Sequence, residues 1–185
     1  PRTLAINNLE FDHADIFDDL AAIQRQFHHV VRCVPGEGQI VYRHGVQAIE
    51  ETLAMGCWTP VTSFGIGETS AADWRAQLLA EDGSAFRVLP PGSEPIDVQW
   101  SHCGQHNVEN ALAALASARH VGVAPAVAAL ALKQFHGVKR RLELLGSPGD
   151  VAVYDDFAHH PTAIATTLQG LRARAGNGRV IALVE

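Results

Sequence analysis

Tyr154-Asp155-Asp156-Phe157-Ala158-His159-His160-Pro161-Thr162 is the stretch on which the reading of the chain turns. Apolar Val151, Ala152 and Val153 precede it, as in a buried strand. After it, Ile164, Leu168 and Leu171 recur at helical spacing, and Pro161 stands where a helix favours its first residue. Two carboxylates and two imidazoles are thus crowded between a strand's carboxyl end and a helix's amino end. Open α/β sheets bind ligands at that place. The helix end carries partial positive charge and free N–H groups, which suits an anion. The stretch predicts an α/β fold and a candidate site together.

Outward from it, strand-like and helix-like runs alternate, as α/β requires. A strand is expected at Thr3-Leu4-Ala5-Ile6, then a polar loop from Asn7 to His13. A helix is expected over residues 14–28, with Ile16, Leu20, Ile23 and Phe27 on one face and Asp12 as cap. Short apolar segments follow at 30–34 and 39–42, broken by Pro35 and Gly36. A helix over 47–55 stops at Gly56, and a strand is expected at 60–66. Residues 85–89 and 96–100 alternate apolar and polar, as half-exposed antiparallel strands do. The segment around Trp74 takes no assignment. Helices are expected over 108–120, ended by Gly122, and from Pro125 to about 135. His136-Gly137-Val138-Lys139 reads as a hinge. Beyond it, 141–145, 151–154, the helix from Pro161 and a strand over 179–184 form a second α/β unit. The boundary is placed so that one domain covers 1–136 and the next 137–185.

The chain has 185 residues, 47% of them hydrophobic and 18% charged, enough apolar content for a packed core. Its net charge of −6 disfavours a general grip on nucleic acid. No apolar run reaches the ~20 residues a membrane span needs. Cys33, Cys57 and Cys103 fit neither a disulfide framework nor paired zinc spacing. They read as reduced, buried, structural residues, which fits a cytoplasmic protein.

Four groups of residues are candidates for chemistry. His13 lies among Glu10, Asp12 and Asp15, and is either a cation ligand or a solvated loop residue. Asn107 and Asn110, three apart, can project from one side of a helix's first turn. Carboxamides suit an adenine edge, while simple N-capping by Asn107 is the plainer reading. Lys139-Arg140-Arg141 at the hinge is either a phosphate fork or a solvated basic face. In the decisive stretch, Asp155 and Asp156 suit a ribose diol or a metal, and His159 and His160 an anionic substrate. The bland alternative is a loop that caps the next helix. Neither a G-x-x-x-x-G-K-[ST] phosphate loop nor a serine nucleophile elbow is present.

Four blocks, NNLEFDHAD, GQHNVENALAALA, FHGVKRRLE and YDDFAHHPTAI, occur in an order that resembles the Mur ligases, ATP-dependent amide-bond formers of peptidoglycan metabolism. NNLEFDHADIFDDL, Gly56-Cys57-Trp58 and DDFAHHPTAI most resemble the subgroup that joins UDP-N-acetylmuramate to the murein tripeptide L-Ala-γ-D-Glu-meso-diaminopimelate in cell-wall recycling. The resemblance implies part of a central ATPase-type α/β domain followed by part of a Rossmann-like carboxyl-terminal domain. It implies ATP and Mg2+ as cofactors, with His13 as magnesium ligand and Asn107 and Asn110 around adenine. Arg141 would reach the phosphates, Asp156 the ribose, and His159 the substrate, so that Arg141 and His159 carry the catalytic roles. Partners would be the nucleotide sugar and the tripeptide, with no nucleic acid and no membrane. An L-alanine-adding ligase, a folylpolyglutamate-type ligase and a non-catalytic nucleotide-binding module are the alternatives. Full-length members also carry a UDP-binding domain, a P-loop and a magnesium-binding glutamate that are not in these residues. The chain therefore resembles a piece of a longer enzyme, expected to be inactive by itself.

Overall fold

A computed structural model of the chain describes residues 1–67 and 69–184. Six strands form one sheet in chain order: β1 (Thr3–Ile6), β2 (Gln39–Arg43), β3 (Val61–Ile66), β4 (Trp74–Leu78), β5 (Ala85–Leu89) and β6 (Ile96–Gln99). β1 to β4 run parallel, and β5 and β6 add on antiparallel. Helices α1 (Leu20–Arg32) and α2 (Gln47–Ala54) connect the first three strands. α3 (Gln105–His120) and α4 (Pro125–Lys133) follow the sheet. Alternation along β2 shows how the layers form. Ile40 packs with Ile6, Val31 and Ile49, whereas its neighbour Val41 packs with Phe64, Phe86 and Leu112 of α3. Helices thus cover both sheet faces, and the strand ends carry the polar loops.

A second sheet holds only β7 (Glu143–Gly146) and β8 (Val153–Asp155), antiparallel and irregular between Leu144 and Gly146. α5 (Pro161–Ala175) follows, begun by proline as its sequence requires. The mixed α/β class expected from the sequence is what the chain adopts.

Several local expectations are corrected. α1 starts at Leu20, not at residue 14, and its cap is Asp19, whose carboxylate accepts from Ala22 N at 2.7 Å. Asp12 accepts from His13 N instead, at 2.7 Å, and His13 sits in the left-handed region at φ 55°. That turn prevents an earlier start and leaves Ile16 68% exposed. The same helix absorbs Val30 and Val31, read from sequence as a separate segment. Trp74, unassigned from sequence, opens β4. The connection from β3 is short for a parallel pair, and Asp73 closes it: its carboxylate accepts from Ser63 N (2.8 Å), Ser63 Oγ (2.9 Å) and Thr62 Oγ1 (3.3 Å). Residues 179–184, expected as a strand, pair with nothing among the described residues, and a strand without a neighbour has no ladder to hold it. All three cysteines are free, but only Cys103 is fully buried; Cys33 is exposed at the end of α1.

Candidate functional site

A cavity of about 810 Å³ lies between the two sheets' units. α3 contributes His106, Asn107, Asn110, Ala111 and Leu115 to its lining. The segment after α4 contributes Phe135, Gly137, Val138, Arg141 and Leu142. From the far side come Asp156, Ala158, Ala163, Thr166 and Thr167. Alanines and leucines form a broad apolar wall, and a few polar groups converge on it, the usual character of a small-molecule site.

α3 begins three residues earlier than its alanine-rich pattern suggests, at Gln105, with Gly104 as N-cap at φ 95°. Asn107 therefore does not cap. Its Nδ2 donates to Cys103 O at 2.7 Å, one turn back. Asn110 Oδ1 accepts from Asn7 Nδ2 at 2.7 Å, where β1 ends. Each amide thus has one end engaged, and both residues line the cavity. Glu109 points the other way, to Arg43 Nη2 at 2.6 Å. Burial raises its carboxyl above the usual range, against the pull of Arg43.

Asp156 holds two loops at once. Its Oδ2 accepts from Leu142 N and its Oδ1 from Ala158 N, both at 2.8 Å, and Thr167 Oγ1 lies 3.5 Å from Oδ1. Leu142, at φ 49°, is bent by this grip. A carboxylate has about four acceptor sites, so about one remains for a ligand hydroxyl. Arg140 pairs with Asp155 (3.3 Å) and lies over the Phe157 ring at 5.0 Å. Arg141 lies over the same ring at 5.6 Å and, among the described residues, has no carboxylate partner. Its charge is free for an anion in the cavity it lines.

His106, which the sequence pattern does not single out, also lines the cavity. It is half-buried, and its Nδ1 is buried with no hydrogen-bond partner among the described residues. Burial lowers its pKa, Asp156 opposes that shift, and Arg141 adds to it. Its i, i+4 spacing from Asn110 was the available signal. Thr166 and Thr167 were also missed, since nothing in a helix's sequence says which neighbour it will face.

The histidines of the two loops stand apart from this lining. His13 is exposed, with Nε2 3.8 Å from Asp12 Oδ2. Asp12 is held below the usual carboxylate range, chiefly by the bond from His13 N. Among the described residues, no three His, Cys, Asp or Glu side chains gather as a metal site. His159 Nδ1 lies 3.0 Å from Phe157 O, and its ring meets the Phe157 ring edge-on. His160 caps α5 by accepting from Thr162 N (3.4 Å) and reaches Phe11 O (3.3 Å), while Thr162 Oγ1 donates to Glu10 Oε2 (2.8 Å). For His160 the bland reading, a helix cap, holds, and it also ties the second unit to the loop after β1.

Comparison with known proteins gives two family matches: the Mur ligase middle domain over residues 1–118, and the Mur ligase glutamate ligase domain over residues 140–184. The UDP-N-acetylmuramate–L-alanyl-γ-D-glutamyl-meso-2,6-diaminoheptandioate ligase of Escherichia coli (strain K12) is 53% identical over 186 residues, covering 100% of this chain and 40% of that protein. Its Haemophilus influenzae counterpart is 48% identical with the same coverage. The crystal structure of a murein peptide ligase from Psychrobacter arcticus superposes with a TM-score of 0.74 at 46% identity, over 96% of this chain and 36% of that one. The chain thus spans about 40% of the length of the curated relatives it matches.

Proposed function

The chain belongs to the Mur ligase family, and on that premise we propose that its two units are the nucleotide-holding part of an ATP-dependent ligase. The reaction joins UDP-N-acetylmuramate to the murein tripeptide L-Ala-γ-D-Glu-meso-diaminopimelate, in the cytoplasm where ATP is available, as a recycling step of the cell wall. The observation that carries this reading is that Asn110, Arg141 and Asp156, from three separate segments, line one cavity. Similarity to the ligases of E. coli and P. arcticus supports the choice of substrates. No helix of the described residues is long and apolar enough to cross a membrane.

The domain boundary belongs at 136/137. α4 has ended at Lys133, Gly137 takes φ 93°, and the two family matches fall on either side. In the site, the amides of Asn107 and Asn110 read the adenine, and Asp156 offers its remaining acceptor to the ribose. Arg141 lies toward the phosphates. The substrate carboxylate attacks the terminal phosphorus, ADP leaves, and the acyl phosphate is opened by the peptide amine with release of phosphate. Arg141 offsets negative charge on the nucleotide during the first step. Closure of the two units about Gly137 keeps water from the acyl phosphate. His159, on the loop that also carries Asp156, is assigned to the anionic substrate. His13 is the residue assigned to magnesium, but these residues alone do not complete a cation site, and no step here is routed through the ion.

ADP release by the complete gene product, with UDP-N-acetylmuramate and either the tripeptide, L-alanine or a folate-type carboxylate, tests the reading. Turnover with the tripeptide is expected, and Arg141→Ala should lower kcat by about 100-fold with folding intact. Turnover with L-alanine or a folate substrate alone would replace the proposed reaction with one of those. Unchanged kcat in the variant would remove Arg141 from phosphate binding.

A further inference from the structure

We propose that Asn7 is a positioning residue that makes the cavity specific for adenine over guanine, by fixing which end of the Asn110 amide faces the base. The inference rests on the cavity being the nucleotide site. Asn7 follows the last residue of β1 and lies outside the cavity lining, so it acts through another side chain.

The setting of α3 over β1 is held at both ends. Thr3 Oγ1 lies 2.8 Å from His120 Nδ1, and Asn7 Nδ2 donates to Asn110 Oδ1 at 2.7 Å. Arg43 holds Glu109, between Asn107 and Asn110, to β2 at 2.6 Å. The helix therefore cannot rotate to choose a different face, and only the amides themselves can turn. Asn107 cannot turn freely either, because the Cys103 carbonyl accepts only and keeps the Asn107 NH2 directed at it. Asn107 is left with its carbonyl for the cavity, and Asn110 with its NH2.

One acceptor beside one donor is the complement of adenine's exocyclic amino group beside a ring nitrogen. Guanine carries a carbonyl oxygen where adenine has the amino group. It would set two acceptors against each other at Asn107. Sites that satisfy a hydrogen-bond pattern discriminate strongly against a ligand that reverses it. Asn7 sets half of this pattern without touching the ligand.

The test uses the complete gene product and steady-state kinetics with ATP and GTP. Asn7→Asp places a group that only accepts, so the Asn110 NH2 turns toward it and its carbonyl faces the base. The KM for ATP should rise about tenfold and the ATP-to-GTP preference fall by about the same factor, with kcat nearly unchanged because the base is remote from the transferring phosphate. Asn7→Ala, which frees the amide, should give a smaller fall in preference. In an Asn110→Ala background, Asn7→Asp should change the preference no further. Thermal melting shows whether each variant is folded, and the alanine variant decides the matter if the aspartate one is not. An unchanged preference in folded Asn7 variants, while Asn110→Ala lowers it, overturns the role of Asn7 and leaves the nucleotide site standing. An unchanged preference in Asn110→Ala as well overturns both.

Discussion

The two units that share the cavity are held together by different physics. The six-stranded unit has two packed clusters, with Ile40, Val41, Ile49, Phe64, Phe86 and Leu112 wholly removed from water. In the two-stranded unit, Gly170 is the one described residue beyond Ala129 that is buried, while Leu144, Leu145, Val151, Val153 and Phe157 are exposed. Its loops are shaped by Asp156 and by the bond from Phe157 N to Arg140 O (2.9 Å) instead of by a core. It rests on the larger unit through Gly170 against Gly104, Arg174 to Ser101 O (2.8 Å) and to Asp82 (3.5 Å), His160 to Phe11 O (3.3 Å) and Glu10 (3.4 Å), and Thr162 to Glu10. The amides of Asn107 and Asn110 thus stand on a well-packed wall, and Arg141 on a sparsely buried one. Under the proposed reaction, opening for substrates and closing for chemistry would draw on that asymmetry.

The sharpest way to break this comparison is to cut one apolar side chain from each unit. Phe86→Ala should lower unfolding stability by roughly 3–5 kcal/mol, since it removes a wholly buried ring from the sheet–helix core. Leu144→Ala, at a residue 54% exposed, should cost about 0.5 kcal/mol or less. Urea titration of the two variants checks both. Similar losses would show that the smaller unit has a core of its own.

An intermediate effect is expected where the units meet. A Cβ on Gly170 would lie 2.8 Å from Gly104 Cα and 3.1 Å from Gly104 N, both backbone and unable to step aside. Alanine improves helix propensity by ~1 kcal/mol, but the overlap works against α5 docking by roughly 1–3 kcal/mol. Gly170→Ala should therefore speed amide exchange and proteolysis after residue 136 while the six-stranded unit keeps its protection. Slower exchange there would mean that the helix gains more than the contact loses, and that the units are not tightly apposed.

The same asymmetry governs what could be read from sequence. β1, β2, β3, β5, β6 and the alanine-rich α3 are legible because burial imposes a period on them. β4 was not, since Trp74-Arg75-Ala76 becomes a strand by pairing with β3, and Asp73 secures that pairing through residues ten positions away. The start of α1 was misplaced because Asp12 and Asp19 are equally good caps in sequence, and the turn at His13 decides between them. Asn107, Asn110, Arg141 and Asp156 stood out as residue types in informative places, and the fold gives them one cavity. That Asn107 bonds backward to Cys103, that Asn7 reaches Asn110, and that His106 is left with an unpartnered nitrogen are consequences of packing, which no local pattern encodes.

The smallest effect is a proton. His106 belongs to the well-packed wall, and burial lowers its pKa below the ordinary histidine value of ~6.5. Above that value neither the folded nor the unfolded chain carries the proton, and its contribution to stability is complete. As pH falls below it the unfolded chain takes up the proton first, so stability is lost progressively down to the lowered folded value. His106→Phe removes the titration and the orphaned nitrogen together. Below pH ~6.5 the variant should lose less stability than the parent, and at pH 8 the two should be nearly equal or the variant slightly more stable. Glu109 titrates in both proteins and cancels in the difference. Denaturant midpoints measured from pH 8 down to 5 give that difference directly. Parallel curves would mean that the imidazole accepts its proton as readily in the fold as in water, and the wall that holds the amides would then be as open as the unit facing it.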